Sequence, residues 1–383
     1  MTRQFRMRVI VVGAGILGMV TSWILARSGH HVVLVDRGPI PNPDSASFDQ
    51  HRLLHDFESS LGDAAKLMRV SLAGWGELWR DLGHSFVVPS DVLAVSAAEG
   101  DLAERSADAF SRAGIDHELL DAQVLQQRYP HLQFPEARFG VRRKGGLLLA
   151  EQLLIALAQR LRVLGTEMMA GSSVTAIDTI RTSIDLASGV TLAGDRIILT
   201  AGAWASRIAP KLENQIWPHR QISIFPKWPQ RYEQHWRRSP IVVDFGGHQG
   251  LWLAPPLGNT ELKLAASCHG SRWNFDLNCG RAPSDDEGVS VLGHFARYLT
   301  DAAAYSVKRA KTCFYSMSID RKLVVERLAK HSADIWLVCG CSGQGFKFAP
   351  AIAGLIVGLV EQGDPVDVLM EKIGFHATSN CEA

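Results

Sequence analysis

Along this chain, short apolar runs broken by glycine or proline alternate with longer stretches whose apolar positions recur at helical spacing. The first unit is the clearest. Val9-Ile10-Val11-Val12 reads as a buried strand that breaks at Gly13, Gly15 and Gly18. Met19 to Arg27 then keeps helical spacing, Ser28-Gly29 stops the helix, and Val32 to Val35 reads as a second strand ending at Asp36. The G-x-G-x-x-G spacing inside a β-α-β unit predicts a nucleotide. Glycine lets the backbone turn sharply and approach a pyrophosphate at a helix N-terminus, and the acid after the second strand can accept from a ribose hydroxyl.

Beyond Asp36 the pattern is interrupted by Gly38-Pro39-Ile40-Pro41-Asn42-Pro43. A polar stretch follows, with Ser45, Ser47, Asp49, Gln50, His51, Arg52 and His55, and this is where contacts to the active end of a dinucleotide are expected. Asp63 to about Leu82 reads as a helix whose Trp75 and Trp79 share one face, a spacing that suits a core. Phe86 to Arg142 carries short strands (Val87-Val88 and Val92 to Val95) and an amphipathic helix near Leu102 to Ala113. A helix over Glu151 to Leu164 and a strand at Thr175 to Ile177 come next. Arg196 to Thr200 is a strand running into Ala201-Gly202-Ala203-Trp204, a second strand-to-glycine turn. Ile216 to Asp301 is strand-rich, with Ile222 to Phe225, Ile241 to Val243, Leu251 to Leu253 and Glu261 to Ala265. Lys263 lies in the last of these, where alternation alone puts it on a solvent face. Near the end, Ile335 to Val338 runs into Cys341-Ser342-Gly343-Gln344-Gly345-Phe346-Lys347-Phe348-Ala349-Pro350. A helix from Ala351 to about Gln362 follows, and the tail after about Gly374 is expected to fray.

The 383 residues, 46% hydrophobic and 21% charged, suit two domains or one fold with an inserted lobe. A formal net charge of +1 gives no footprint for nucleic acid or an anionic membrane. No apolar run is long enough to span a bilayer, so a cytoplasmic location is expected. Cys268, Cys279, Cys313, Cys339, Cys341 and Cys381 show no metal-ligand spacing, and all are expected to be free thiols. No metal is expected.

Four stretches together carry a resemblance: the opening β-α-β unit; Asp49-Gln50-His51-Arg52-Leu53-Leu54; Ala201-Gly202-Ala203-Trp204; and Lys311 to Ser316 with Ser342 to Phe348. The chain resembles the D-amino-acid-oxidase-like superfamily of FAD enzymes, and within it the monomeric sarcosine oxidase and N-methyltryptophan oxidase group. The resemblance implies an α/β fold: a Rossmann-type FAD-binding domain and an α+β substrate domain on a mostly antiparallel sheet. The division expected is 1–85, 145–215 and 311–375 for the first, 86–144 and 216–310 for the second. It also implies FAD attached through Cys313, with Lys311 nearby to help ionise the thiol. Lys263 becomes the cation that promotes reaction with oxygen, against its solvent-facing reading. Lys347 pairs with the substrate carboxylate, and Arg52 lies beside the isoalloxazine. The cofactor-binding set is Gly13, Gly15, Gly18, Asp36, Arg52, Cys313, Gly343, Gln344, Gly345 and Lys347, and the catalytic set is Lys263, Arg52, Lys347 and His55.

Three departures bear on substrate. His55 stands where the relatives carry a second carboxylate-binding arginine, and imidazole cannot make the bidentate fork of guanidinium. Gln344 replaces a histidine, and either Leu251 or Trp252 replaces a pocket tyrosine. These changes point away from sarcosine, towards a bulkier or less acidic amine. The expected activity is oxidation of a secondary amine or amino acid, N-methylated or cyclic. Hydride passes to the flavin, an imine forms, and oxygen becomes hydrogen peroxide. A same-fold dehydrogenase with a quinone or protein acceptor, a biosynthetic desaturating or aromatising imino acid oxidase, and a non-redox flavin-bound structural protein are the alternatives. The partners expected are an amine and oxygen, and the protein is expected to be a monomer.

Overall fold

The computed structural model describes residues 6–57, 62–247, 250–274, 282–328, 334–361 and 365–375. Arg8–Val12 and His31–Val35, each buried at four of five positions, pair in parallel at the centre of a six-stranded sheet. Its order is Val324–Arg327, Asp334–Cys339, Arg196–Leu199, Arg8–Val12, His31–Val35, Glu167–Met169, parallel except at the first pair. Continuous β-branched runs suit such a sheet because both faces are covered. One face carries the helices Ile16–Arg27, Ala64–Leu82, Ala150–Val163 and Ala349–Glu361, whose apolar side chains merge into the largest core. On the other face, a three-stranded antiparallel sheet of Val174–Asp178, Ser183–Leu186 and Thr191–Ala193 contributes Ile184, Leu186 and Leu192 to a second core.

The larger sheet runs Ser271–Arg272, Ile216–Lys227, Lys263–Ala266, Leu251–Ala254, Ile241–Asp244, Val87–Ser96, Phe139–Leu148, Arg52–Leu54, and is antiparallel except where Ile241–Asp244 meets Val87–Ser96. Ser306–Ser318 lies along Ile216–Lys227, placing Cys313 opposite Gln221. Three strands therefore cross the expected division of the chain. Arg52–Leu54, residues 145–148 of Phe139–Leu148 and residues 311–318 of Ser306–Ser318 belong to the larger sheet, although the expected division puts each in the nucleotide-binding part. Strand pairing is non-local, and nothing in any of these segments names its partner.

The helix expected from Asp63 starts at Ala64, with the Asp63 side chain accepting from the Lys66 N–H at 2.9 Å. Trp75 and Trp79 stack at 5.2 Å between centroids, and Trp75 is in the core. Cys268, Cys313, Cys339 and Cys341 are free thiols, whereas Cys279, Cys381, Gln362 and the tail beyond Phe375 lie outside the described residues. Among the described residues, no helix is long and apolar enough to cross a membrane.

Candidate active site

Between the two large sheets lies a cavity of about 860 Å³, near the upper end for small-molecule sites. At one end its wall is the glycine turn. Gly13 has φ 103°, and a Cβ there would stand 2.5 Å from the Thr200 carbonyl oxygen, so only glycine fits. The Thr200 hydroxyl donates to the carbonyls of Val12 and Gly13, each at 3.1 Å, tying the second strand-to-glycine turn onto the first. Gly15 lines the cavity, but Gly18 does not. A Cβ on Gly18 would collide with the Gly13 carbonyl oxygen, so its part is close packing of helix on turn rather than contact with a ligand. Asp36 lines the cavity and accepts from the N–H groups of Ala14 and Gly38, both at 2.8 Å, and from Asn42 at 2.9 Å. Those three bonds orient the carboxylate and leave it acceptor capacity for a hydroxyl.

At the other end, Arg52, His55, Lys263, Cys313, Gly343, Gln344, Gly345 and Lys347 come together on the same cavity. Lys263 is 3% exposed, which overturns the solvent-facing reading of its strand. Its Nζ donates to Asp49 Oδ2, the oxygen that also accepts from Arg52 Nη1 at 2.8 Å. Phe225 and Trp252 flank the ammonium, with ring centroids at 5.8 and 5.4 Å. Burial pushes the Asp49 carboxyl up, but Lys263, Arg52 and Lys311 together outweigh it and hold the group well below the usual carboxylate range. Trp252 lines the cavity while Leu251 is in the core, so Trp252 fills the place expected of a pocket aromatic.

Cys313 is half-buried, with Sγ 3.8 Å from the Ala46 carbonyl oxygen, and it interacts electrostatically with the Arg52 guanidinium. Arg52 is thus the cation at the thiol. Lys311, expected in that role, donates to the Phe48 carbonyl at 2.7 Å and adds its charge to the same cluster at Asp49. Opposite, Lys347 Nζ lies 3.2 and 3.3 Å from the two ring nitrogens of His55. Burial lowers Lys347 to about 7, with Asp56 opposing, while burial and then Lys347 hold His55 well below its ordinary value. The carrying loop turns sharply: Ser342 and Gly343 have φ 48° and 83°, and the Gln344 N–H donates to the Cys341 carbonyl at 2.9 Å. Trp75 Nε1–H then donates to the Lys347 carbonyl at 3.1 Å. A core residue of one helix therefore sets the position of a site lysine.

The sequence marks Asp49 and His51 only as members of the polar stretch and not as members of the catalytic or cofactor-binding sets. His51 is 1% exposed and lines the cavity with neither ring nitrogen satisfied within the protein. Orphaned buried nitrogens, together with the glycine cradle at the far end, fit a bound polar group such as FAD. Only the run of polar residues in an otherwise apolar region signalled them.

Residues 8–359 match the family described as DAO, FAD dependent oxidoreductase. Peroxisomal sarcosine oxidase of Mus musculus is 26% identical over 373 residues, covering 91% of each chain. Monomeric sarcosine oxidase of Bacillus sp. (strain B-0618) is 25% identical over 370 residues, covering 93% of this chain and 92% of the other. L-proline dehydrogenase from P. horikoshii has the same fold, with a TM-score of 0.77 at 16% identity over 97% of this chain and 99% of that one.

Proposed function

The chain belongs to the DAO family of FAD dependent oxidoreductases, and from that premise we propose that it oxidises a secondary amine or amino acid, N-methylated or cyclic. What carries this reading is the convergence of Arg52, Lys263, Cys313 and Lys347, from separate segments, on one cavity continuous with the glycine turn. FAD held there would supply the two-electron acceptor that turns the carbon–nitrogen bond of the amine into an imine, and oxygen would take up the electron pair with two protons as hydrogen peroxide. Gly13, Gly15 and Asp36 hold the nucleotide end, and Cys313, beside Arg52, is the point of covalent attachment. Gly343, Gln344 and Gly345 bring their turn to the ring end.

Lys347 holds a substrate carboxylate as a point charge. His55, neutral, adds one donor or acceptor rather than a second cation. Such a site suits an amine with one carboxylate and apolar bulk, which Phe57 and Trp252 are placed to meet. Lys263 stabilises negative charge as it forms on oxygen in a site with little water. The larger sheet supplies the substrate walls and the parallel sheet the cofactor walls. The protein acts as a cytoplasmic monomer. Two measurements on the purified protein test this. N-methyl and cyclic amino acids, added without oxygen, should bleach its yellow colour, and the failure of every such amine overturns the reading. After acid precipitation the colour should stay with the protein, whose mass is raised by one FAD; release of the flavin removes the Cys313 bond.

A further inference from the structure

Asp49 lines the cavity beside Lys263 and Arg52. Its surroundings are constructed around one contact. Oδ2 accepts from Lys263 and Arg52, while Oδ1 accepts from the Gln50 N–H at 2.8 Å. Next along the chain, Gln50 clamps the strand that carries the lysine. Its Nε2 donates to the Glu261 carbonyl at 3.0 Å, and its Oε1 accepts from the Glu261 N–H at 2.9 Å. Glu261 is itself held by Lys308, at 2.6 Å, and by Arg309. The loop bearing Asp49 is therefore fixed two residues upstream of Lys263, and both side chains of the pair are buried, at 4% and 6% exposure.

We propose that Asp49 is a positioning residue for oxygen reduction: it pins the Lys263 amine to the cavity wall and keeps it an ammonium. This rests on Lys263 serving the oxygen step. Asp49 does not contact oxygen. Two cations on one carboxylate leave the cluster positive, so charge forming on oxygen is still stabilised although Lys263 is paired. The groups facing Lys263 are Asp49, Arg52, His51 and the Cys313 thiol. Burial lowers the lysine, Asp49 opposes this, and Arg52 adds to the lowering. Without the carboxylate's charge, burial and Arg52 act with less opposition and the amine gives up its proton more readily.

The test compares Asp49→Asn, Asp49→Glu, Lys263→Met and the Asp49→Asn/Lys263→Met double variant. In the flavin-loaded enzyme, Asp49→Asn should slow reoxidation by oxygen by about 10²-fold, and increasingly as pH rises, while anaerobic reduction by substrate changes only a few-fold. Wild type and Asp49→Glu should lose less reoxidation rate than Asp49→Asn over the same rise in pH. A second readout uses FAD-free protein. A lysine whose folded value is depressed binds fewer protons folded than unfolded, so stability rises with pH up to its ordinary value, about 10.4. The melting temperature of Asp49→Asn should therefore climb more steeply than that of wild type as pH rises towards that value, and the double variant should lose the extra slope. Unaltered reoxidation in Lys263→Met overturns the oxygen role of that lysine and the proposal with it. Normal slowing in Lys263→Met, beside an Asp49→Asn enzyme whose rate and melting slope match wild type, overturns the proposal alone. Should Asp49→Asn fail to fold, a loss of reoxidation with rising pH that is steeper in Asp49→Glu than in wild type overturns it.

Discussion

The nucleotide end of the cavity is made by consecutive residues, Arg8 to Asp36, with help from Thr200, whereas the ring end draws on Asp49 to His55, Lys263, Cys313 and Lys347. At the first end the side chains matter little. Two glycines are required because backbone meets backbone, and the Asp36 carboxylate is oriented by the local chain and Asn42. At the second end nearly everything is side-chain charge, buried and mutually dependent, with Lys263 and Asp49 separated by 214 positions in sequence. The difference teaches that binding and chemistry here answer to different kinds of substitution: steric at one end, electrostatic at the other.

The sharpest way to break that contrast is Gly18→Ala. The added methyl would meet the Gly13 carbonyl, and neither backbone can yield without moving the turn. We expect destabilisation of about 3 kcal/mol and loss of FAD binding, read by thermal melting and by the flavin content of purified protein. Wild-type flavin content would show that the turn is more plastic than the steric account allows. At the ring end, Lys347→Met should leave flavin content intact and raise KM for carboxylate substrates about tenfold, the equivalent of about 1.4 kcal/mol and close to the lower end for a hydrogen bond to a charged group. The sign of the pH dependence follows from the lowered value of Lys347, about 7. The cation is present below that pH and lost above it, so kcat/KM for an anionic substrate should fall as pH rises through about 7, and the Met variant should lose that limb. A profile unchanged by the substitution would take Lys347 away from the carboxylate.

The same contrast explains what was legible in the sequence. The β-α-β unit could be read because its contacts join neighbouring elements, and period, glycine spacing and the final acid all report on one another. Lys263 could not be read from its strand. Alternation says which residues share a face, but not that Asp49 and Trp252 will cover the face carrying the lysine; only family resemblance supplied the oxygen role. Residues 311–318 of the strand Ser306–Ser318 are expected in the cofactor half for a related reason: their motif names a ligand, while the register against Ile216–Lys227 is set by residues far away. Lys311 was likewise the nearest cation to Cys313 in sequence, yet the thiol meets Arg52, which arrives from another segment. Local geometry was visible, but the pairing of buried charges was not.

Trp75 gives the smallest and most discriminating effect. Sequence spacing makes it a core residue, and so it is, but its indole N–H also donates to the Lys347 carbonyl across 272 positions. Trp75→Phe keeps an aromatic ring against Trp79 and Phe346 and removes that donor, leaving a buried carbonyl short of a partner. The expected cost is about 1–2 kcal/mol of stability, measured by denaturant unfolding. If the bond only stabilises the fold, kcat/KM should follow wild type once the enzyme is folded. If the bond also fixes where the Lys347 ammonium stands, KM should rise a few-fold while oxygen reoxidation, governed by the Asp49 and Lys263 side of the cavity, stays unchanged. That split would show that the ring end is two electrostatic units supported separately, one by a polar loop clamp at Gln50 and one by a tryptophan in the core.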